Sequence, residues 1–120
     1  MTIPASLERL DIGDLRERLG NDEALIADLL RLFLEDSPAH MKAIQAAVTS
    51  RRCDALRRSA HTLKGSASTL SAFGVAGAAA ALEQAAERND VADLDAQFAR
   101  LVAEVEQLVA ELRGLPQWTS

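Results

Sequence analysis

The chain has 120 residues, of which 48% are apolar and only 3% aromatic, and a formal net charge of −5. That length fits one domain, residues 1–120 with a core over about 10–113, able to bury roughly two-thirds of its unfolded surface without a staple. The apolar content excludes intrinsic disorder, and an acidic chain poor in aromatics lacks both the phosphate-binding field and the stacking platform of a nucleic-acid binder. Ala (23) and Leu (18) far outnumber Val plus Ile (10), and Tyr is absent, so the expected fold class is all-α. The lone Cys53 excludes an internal disulfide and a thiol zinc cluster. The start, with Glu8, Arg9 and Asp11, has no secretory pattern, which makes the cytoplasm the expected compartment. The uncharged stretch from Gly65 to Leu82 is rich in Ser, Thr and Gly, and reads as a buried helical hairpin, not a membrane span.

Ile12, Leu15 and Leu19 make a short amphipathic helix ended by Gly20. Asn21 is placed to cap the next helix, with Asp22 and Glu23 in a first turn where the dipole favours acids. Leu25/Ile26, Leu29/Leu30, Phe33, Met41, Ile44 and Val48 recur at three- and four-residue steps. They predict one long helix to about Ser50, with Pro38 as the point where it would kink. Polar Ser50–Arg51–Arg52 leads into a helix from about Cys53 to Leu70. Ser71 to Gly74 reads as a turn. Val75, Ala78/Ala79, Leu82 and Ala85/Ala86 mark a third long helix, whose alanines let neighbouring backbones approach closely. After Asn89–Asp90 the last helix carries Leu94, Phe98, Leu101, Val105, Leu108 and Leu112, and Gly114 and Pro116 stop it. Its heptad seam serves either to close a bundle or to dimerise. Closing the bundle requires one such seam, so a monomer is expected. Short connections between long amphipathic helices predict an antiparallel up-and-down four-helix bundle with a short N-terminal helix.

One helix breaks the plain amphipathic pattern. At about 100° per residue, Leu56, Leu63 and Leu70 of the Cys53–Leu70 helix fall on one line, with Ser59 and Ser66 beside them as core positions. Asp54, Arg57, Arg58, His61, Lys64, Gly65, Ser68 and Ala72 gather on the opposite side, with His61 at its centre. Arg57, Arg58 and Lys64 lie within about one turn of His61 in a chain that is acidic overall. Cations beside an imidazole disfavour its charged form, which keeps a nucleophilic ring, and they would steer in and neutralise a phosphoryl group. Gly65 costs about 1 kcal/mol in a helix interior relative to Ala. It stands one turn beyond His61, where a Cβ would crowd a partner approaching the ring. A lone surface histidine usually does nothing, and Gly65 could instead serve helix–helix contact; one functional reading covers all these residues together. His40 has no such surroundings and reads as ordinary surface.

Ala60-His61-Thr62-Leu63-Lys64-Gly65-Ser66-Ala67 resembles the signature of histidine phosphotransfer (HPt) domains, and the likeness extends to Phe33-Leu34-Glu35-Asp36, Asp54 with Leu56-Arg57-Arg58, and Leu82-Glu83. It covers roughly residues 10–112. The resemblance implies that His61 accepts a phosphoryl group from an aspartyl phosphate on a response-regulator receiver domain and donates it to another. Lys64 matches the family lysine near the phosphoryl oxygens, and Gly65 the glycine that leaves room for the receiver. The family often has a glycine ten residues after the histidine; Ser71 stands here, and Gly74 is expected to take over the turn role. Receiver domains, and a hybrid sensor kinase in some relays, are the implied partners, with Mg²⁺ supplied by the receiver and no cofactor of this chain's own. The docking surface is expected around His61, from Arg57, Arg58 and Ser68, with Ile12 and Leu15 either exposed docking residues or core.

Other readings remain open on the sequence. The dimerisation domain of a sensor kinase usually has an acidic residue after its histidine and soon a proline, whereas Thr62 follows His61 and no proline lies between Pro38 and Pro116. The phosphoacceptor domain of a chemotaxis-type kinase shares the motif. A purely structural helical adaptor is the third. A hydrolase finds no nucleophile pair and no carboxylate to orient the ring, and the absence of a Gly-rich phosphate loop argues against ATP binding or kinase activity.

Overall fold

The structure, a computed structural model, describes residues 7–115, which are helical with no strand among them. The helices are α1 (Ile12–Arg18), α2 (Glu23–Thr49), α3 (Cys53–Thr69), α4 (Phe73–Glu87) and α5 (Val91–Arg113). The long helices α2 to α5 form an up-and-down bundle in which each packs on the next and α5 closes back on α2. A 27-residue helix is about 40 Å long, so α2 runs nearly the full 44 Å of the molecule.

Side-chain size sets the arrangement. α4 is buried almost all round, through Val75, Ala76, Ala78, Ala79, Leu82, Ala85 and Ala86, because its alanines let α3 and α5 pack close on either side. The α5 seam of Leu94, Leu101, Val105, Leu108 and Leu112 is spent inside the bundle. Gly114 caps α5, and Pro116 lies outside the described residues.

Several local expectations are corrected. Asp22, not Asn21, caps α2, its carboxylate accepting the Leu25 N–H at 3.0 Å. Gly20 and Asn21 instead make the turn, both with left-handed backbone. α2 continues through Pro38, where the missing N–H removes only the bond to Leu34 from a helix held by many others. In α3 the core line is Leu56, Ala60, Leu63 and Ala67, with Ser59 and Ser66 on its flank; Ala72 is fully buried, not outward.

Ile12 (1% exposed) and Leu15 (0%) are core residues and present nothing to a partner. A seven-residue helix has little stability of its own and stays in place only by burying its apolar face. Its polar face is tied down as well. The Ser71 hydroxyl donates to Asp14 Oδ2 at 2.6 Å and accepts from Arg18 Nη2 at 2.6 Å. The same Arg18 nitrogen reaches the carbonyls of Ser68 (3.3 Å) and Thr69 (2.8 Å), placing a cation at the α3 C-terminus.

Ser71 itself, at φ +57°, takes the left-handed conformation of this turn. Gly74 does not replace it. It lies inside α4, where an added Cβ would press on the Glu104 carboxylate. A left-handed non-glycine residue costs roughly 1–2 kcal/mol, offset here by a hydroxyl that a glycine would lack.

Candidate functional site

His61 sits at mid-helix in α3 with 65% of its side chain exposed. Its backbone is fixed by helical bonds on both sides, so only the side-chain torsions need a further constraint. Glu83, one of the few buried polar residues, supplies it from α4: its Oε2 lies 2.9 Å from His61 Nδ1, and its Oε1 accepts from Lys64 Nζ at 2.7 Å. Burial alone pushes the Glu83 carboxyl up, but the hydrogen bonds from Lys64 and His61 outweigh it and hold the group below the usual glutamate range. An ionised carboxylate can only accept, so Nδ1 carries the hydrogen, and Nε2 is the ring nitrogen with no partner among the described residues.

Lys64 therefore stands beside the ring, as its spacing predicts, but with its ammonium already engaged. Arg57 is half-buried and Arg58 exposed one turn before the histidine, and neither has an ion-pair partner among the described residues. A Cβ added at Gly65 would meet nothing within 4 Å. No neighbouring helix needs its small size; the open space faces outward. Thr69 donates back to the Gly65 carbonyl at 3.0 Å, and Ser68 is exposed beside it. His61, Gly65 and Thr69, four residues apart, form one strip along α3.

Sequence reasoning missed two things. Glu83 is the first, and it supplies the ring-orienting carboxylate that no motif revealed. A charged residue on the buried side of an Ala-rich helix was the available signal, because a buried acid needs partners. The second is an open groove of about 170 Å³ between α2 and α3, with Leu29, Leu32 and Phe33 on one wall and Thr69 and Leu70 on the other. Half-buried His40 lies along it beside Asp36, so this histidine is not plain surface. Leu25 and Leu32 of α2 are 40% and 51% exposed. Among the described residues no three His, Cys, Asp or Glu side chains gather as a metal ion requires, and no helix is long and apolar enough to cross a membrane.

A helical bundle with an open, carboxylate-oriented histidine on its surface is the architecture of a phosphoryl carrier. The family model for the Hpt domain matches residues 28–113, and the chain belongs to that family. A crystal structure of histidine-containing phosphotransfer protein B (HptB) from Pseudomonas aeruginosa PAO1 is similar, at 27% identity and a TM-score of 0.81, covering 90% of this chain and 94% of that one. No curated protein sequence matches. Hpt domains carry phosphoryl groups in phosphorelays and work with the receiver and kinase components of those relays.

Proposed function

We propose that this chain is the histidine phosphotransfer module of a multistep two-component phosphorelay and that His61 Nε2 shuttles the phosphoryl group between receiver-domain aspartates. One observation carries the reading: a solvent-open imidazole whose Nδ1 is held by an ionised carboxylate. The Nε2 lone pair attacks phosphorus while the O–P bond of the aspartyl phosphate breaks, and the receiver carboxylate leaves with the electron pair. The ring keeps its Nδ1 proton and gains a positive charge. That charge develops against Glu83, which is already in place and needs no reorganisation. Arg57 and Arg58 are at hand for the phosphoryl oxygens, and Lys64 joins them by exchanging its bond to Glu83 Oε1 for one to the phosphoryl group. Both linkages are reactive, so the step runs in either direction without a large driving force.

The domain supplies a positioned nucleophile and a surface, and no kinase activity of its own. Mg²⁺ and its carboxylates come from the receiver, and this chain needs no cofactor. The partners are response-regulator receiver domains and, in some relays, a hybrid sensor kinase; the protein acts as a monomer in the cytoplasm. Gly65 leaves the space a receiver needs to approach Nε2, with Ser68 beside it and exposed Leu25 and Leu32 flanking the approach on α2.

The test is incubation with a phosphorylated receiver. The protein should acquire an acid-labile, base-stable label, and His61→Gln should abolish it while leaving helicity and Tm unchanged. A label surviving that substitution would place the acceptor elsewhere.

A further inference from the structure

The groove between α2 and α3 has a property that phosphoryl chemistry does not explain: it sets an apolar wall beside an unpaired carboxylate, with Ser37, His40, Ser66 and Thr69 completing its lining. Leu29, Leu32 and Phe33 form one wall and Leu70 part of the other, while Asp36 lies among them. Asp28, also on α2, is paired with Arg31 at 3.4 Å. Asp36 is exposed and has neither a hydrogen bond nor an ion pair among the described residues. At about 170 Å³ the groove has room for a long side chain and none for a helix. An apolar wall with an exposed, unpaired anion beside it suits a side chain with an aliphatic stem and a cationic head, which buries the stem and keeps the head wet.

Charge across the surface agrees with this. Arg52 at the N-cap of α3 and Arg57 and Arg58 in its N-terminal half are unpaired among the described residues and outnumber Asp54 there, whereas Asp36 stands beside the C-terminal half, near Ser66 and Thr69. The strip from His61 through Gly65 to Thr69 leads directly into the groove, so the two are one continuous surface. A partner whose acidic pocket is drawn to the arginines and whose basic side chain is drawn to Asp36 can sit in only one orientation.

We propose that the α2–α3 groove is a socket for one lysine or arginine side chain of the receiver that docks over His61, its stem on Leu29, Leu32 and Phe33 and its head against Asp36, and that this contact selects among receivers. The proposal rests on the reading that His61 exchanges its phosphoryl group with a receiver. Receivers that place a basic residue there are favoured; those with an acidic one are rejected by like charge in a confined site.

The probe is the receiver giving the fastest transfer to the unmodified protein in a panel of phosphorylated receiver domains. Asp36→Lys should lower kcat/KM for that transfer about tenfold, mainly through KM, with the loss shrinking at high salt. Leu32→Ala should lower it severalfold at every salt concentration. Reversing the matching basic residue of the receiver to Glu should restore transfer to the Asp36→Lys protein. Labelling of His61 by phosphoramidate, a donor with no protein surface, should be the same in all variants. Transfer to Asp36→Lys at the unmodified rate overturns the socket, as does a loss in that variant seen equally with phosphoramidate. Loss with Leu32→Ala but not with Asp36→Lys identifies an apolar occupant and overturns the charge selection. Failure of the functional reading shows separately, as no receiver labelling the unmodified protein, and the socket falls with it.

Discussion

Two carboxylate-centred clusters lie at different places on this bundle and are built from similar parts. In one, Asp14 accepts from Ser71 and Arg18; in the other, Glu83 accepts from His61 and Lys64. Burial opposes the ionisation of Glu83, yet in both clusters the hydrogen bonds hold the carboxyl below its usual range. The difference lies in what is left over. The Ser71 hydroxyl both donates and accepts within its cluster and is fully buried, so nothing remains for a partner. His61 has two ring nitrogens, and only Nδ1 is taken. A structural tie and an open site thus differ by a single ring nitrogen without a partner among the described residues.

Removing the anion from the second cluster should have the largest effect after loss of His61 itself. Glu83→Ala frees both ring torsion and tautomer, and we expect phosphotransfer to slow about 100-fold, a loss of about 2.7 kcal/mol in the transition state. Glu83→Gln, which can still accept one hydrogen bond, should lose less, and transfer kinetics with a phosphorylated receiver distinguish the two. An undiminished rate in Glu83→Ala would reduce Glu83 to a packing residue.

Next in size is obstruction without chemistry. Gly65→Gln should slow transfer about tenfold, since the added side chain fills the open space that the proposed docking uses, and circular dichroism should show unchanged helicity because nothing in the fold lies within 4 Å of an added Cβ there. The first cluster should respond in stability and not in transfer. Ser71→Ala keeps the left-handed strain and loses both hydroxyl bonds, for an expected destabilisation of about 1–2 kcal/mol by thermal melting. Transfer to Ser71→Ala should be normal.

The smallest effect is the pH dependence. Because the folded-state values of Glu83 and Asp14 are depressed, their contribution is present above the ordinary carboxylate values and is lost as pH falls through the folded ones. Melting temperature should decline on acidification in that window, and the decline should be shallower in Glu83→Gln.

The face of α3 was legible because helical periodicity alone places Arg57, His61, Lys64 and Gly65 together. Glu83 was not, because the contact between α3 and α4 follows from how closely alanines let two helices approach, and no spacing within one helix reports it. Ile12 and Leu15 were ambiguous for a different reason: two apolar residues on a short helix fit a core and a docking patch equally. The turn starting at Ser71 was legible, but Ser71 as its left-handed residue was not, because that backbone is sustained by groups from α1, more than 50 residues earlier in the chain. Leu25 fits the same steps of three and four as the core residues of α2. The buried line of that helix runs instead through Ile26, Leu30, Phe33 and Ile44, leaving Leu25 on its edge.

Glu83 also bears on how long a charged carrier keeps its cargo. Both of its oxygens are committed, one to Nδ1 and one to Lys64. Neither is free to strip a proton from water attacking an N–P bond. On the proposed function, Glu83 then adds no base catalysis to hydrolysis of the phosphorylated ring, which suits a carrier that holds its group until an acceptor docks.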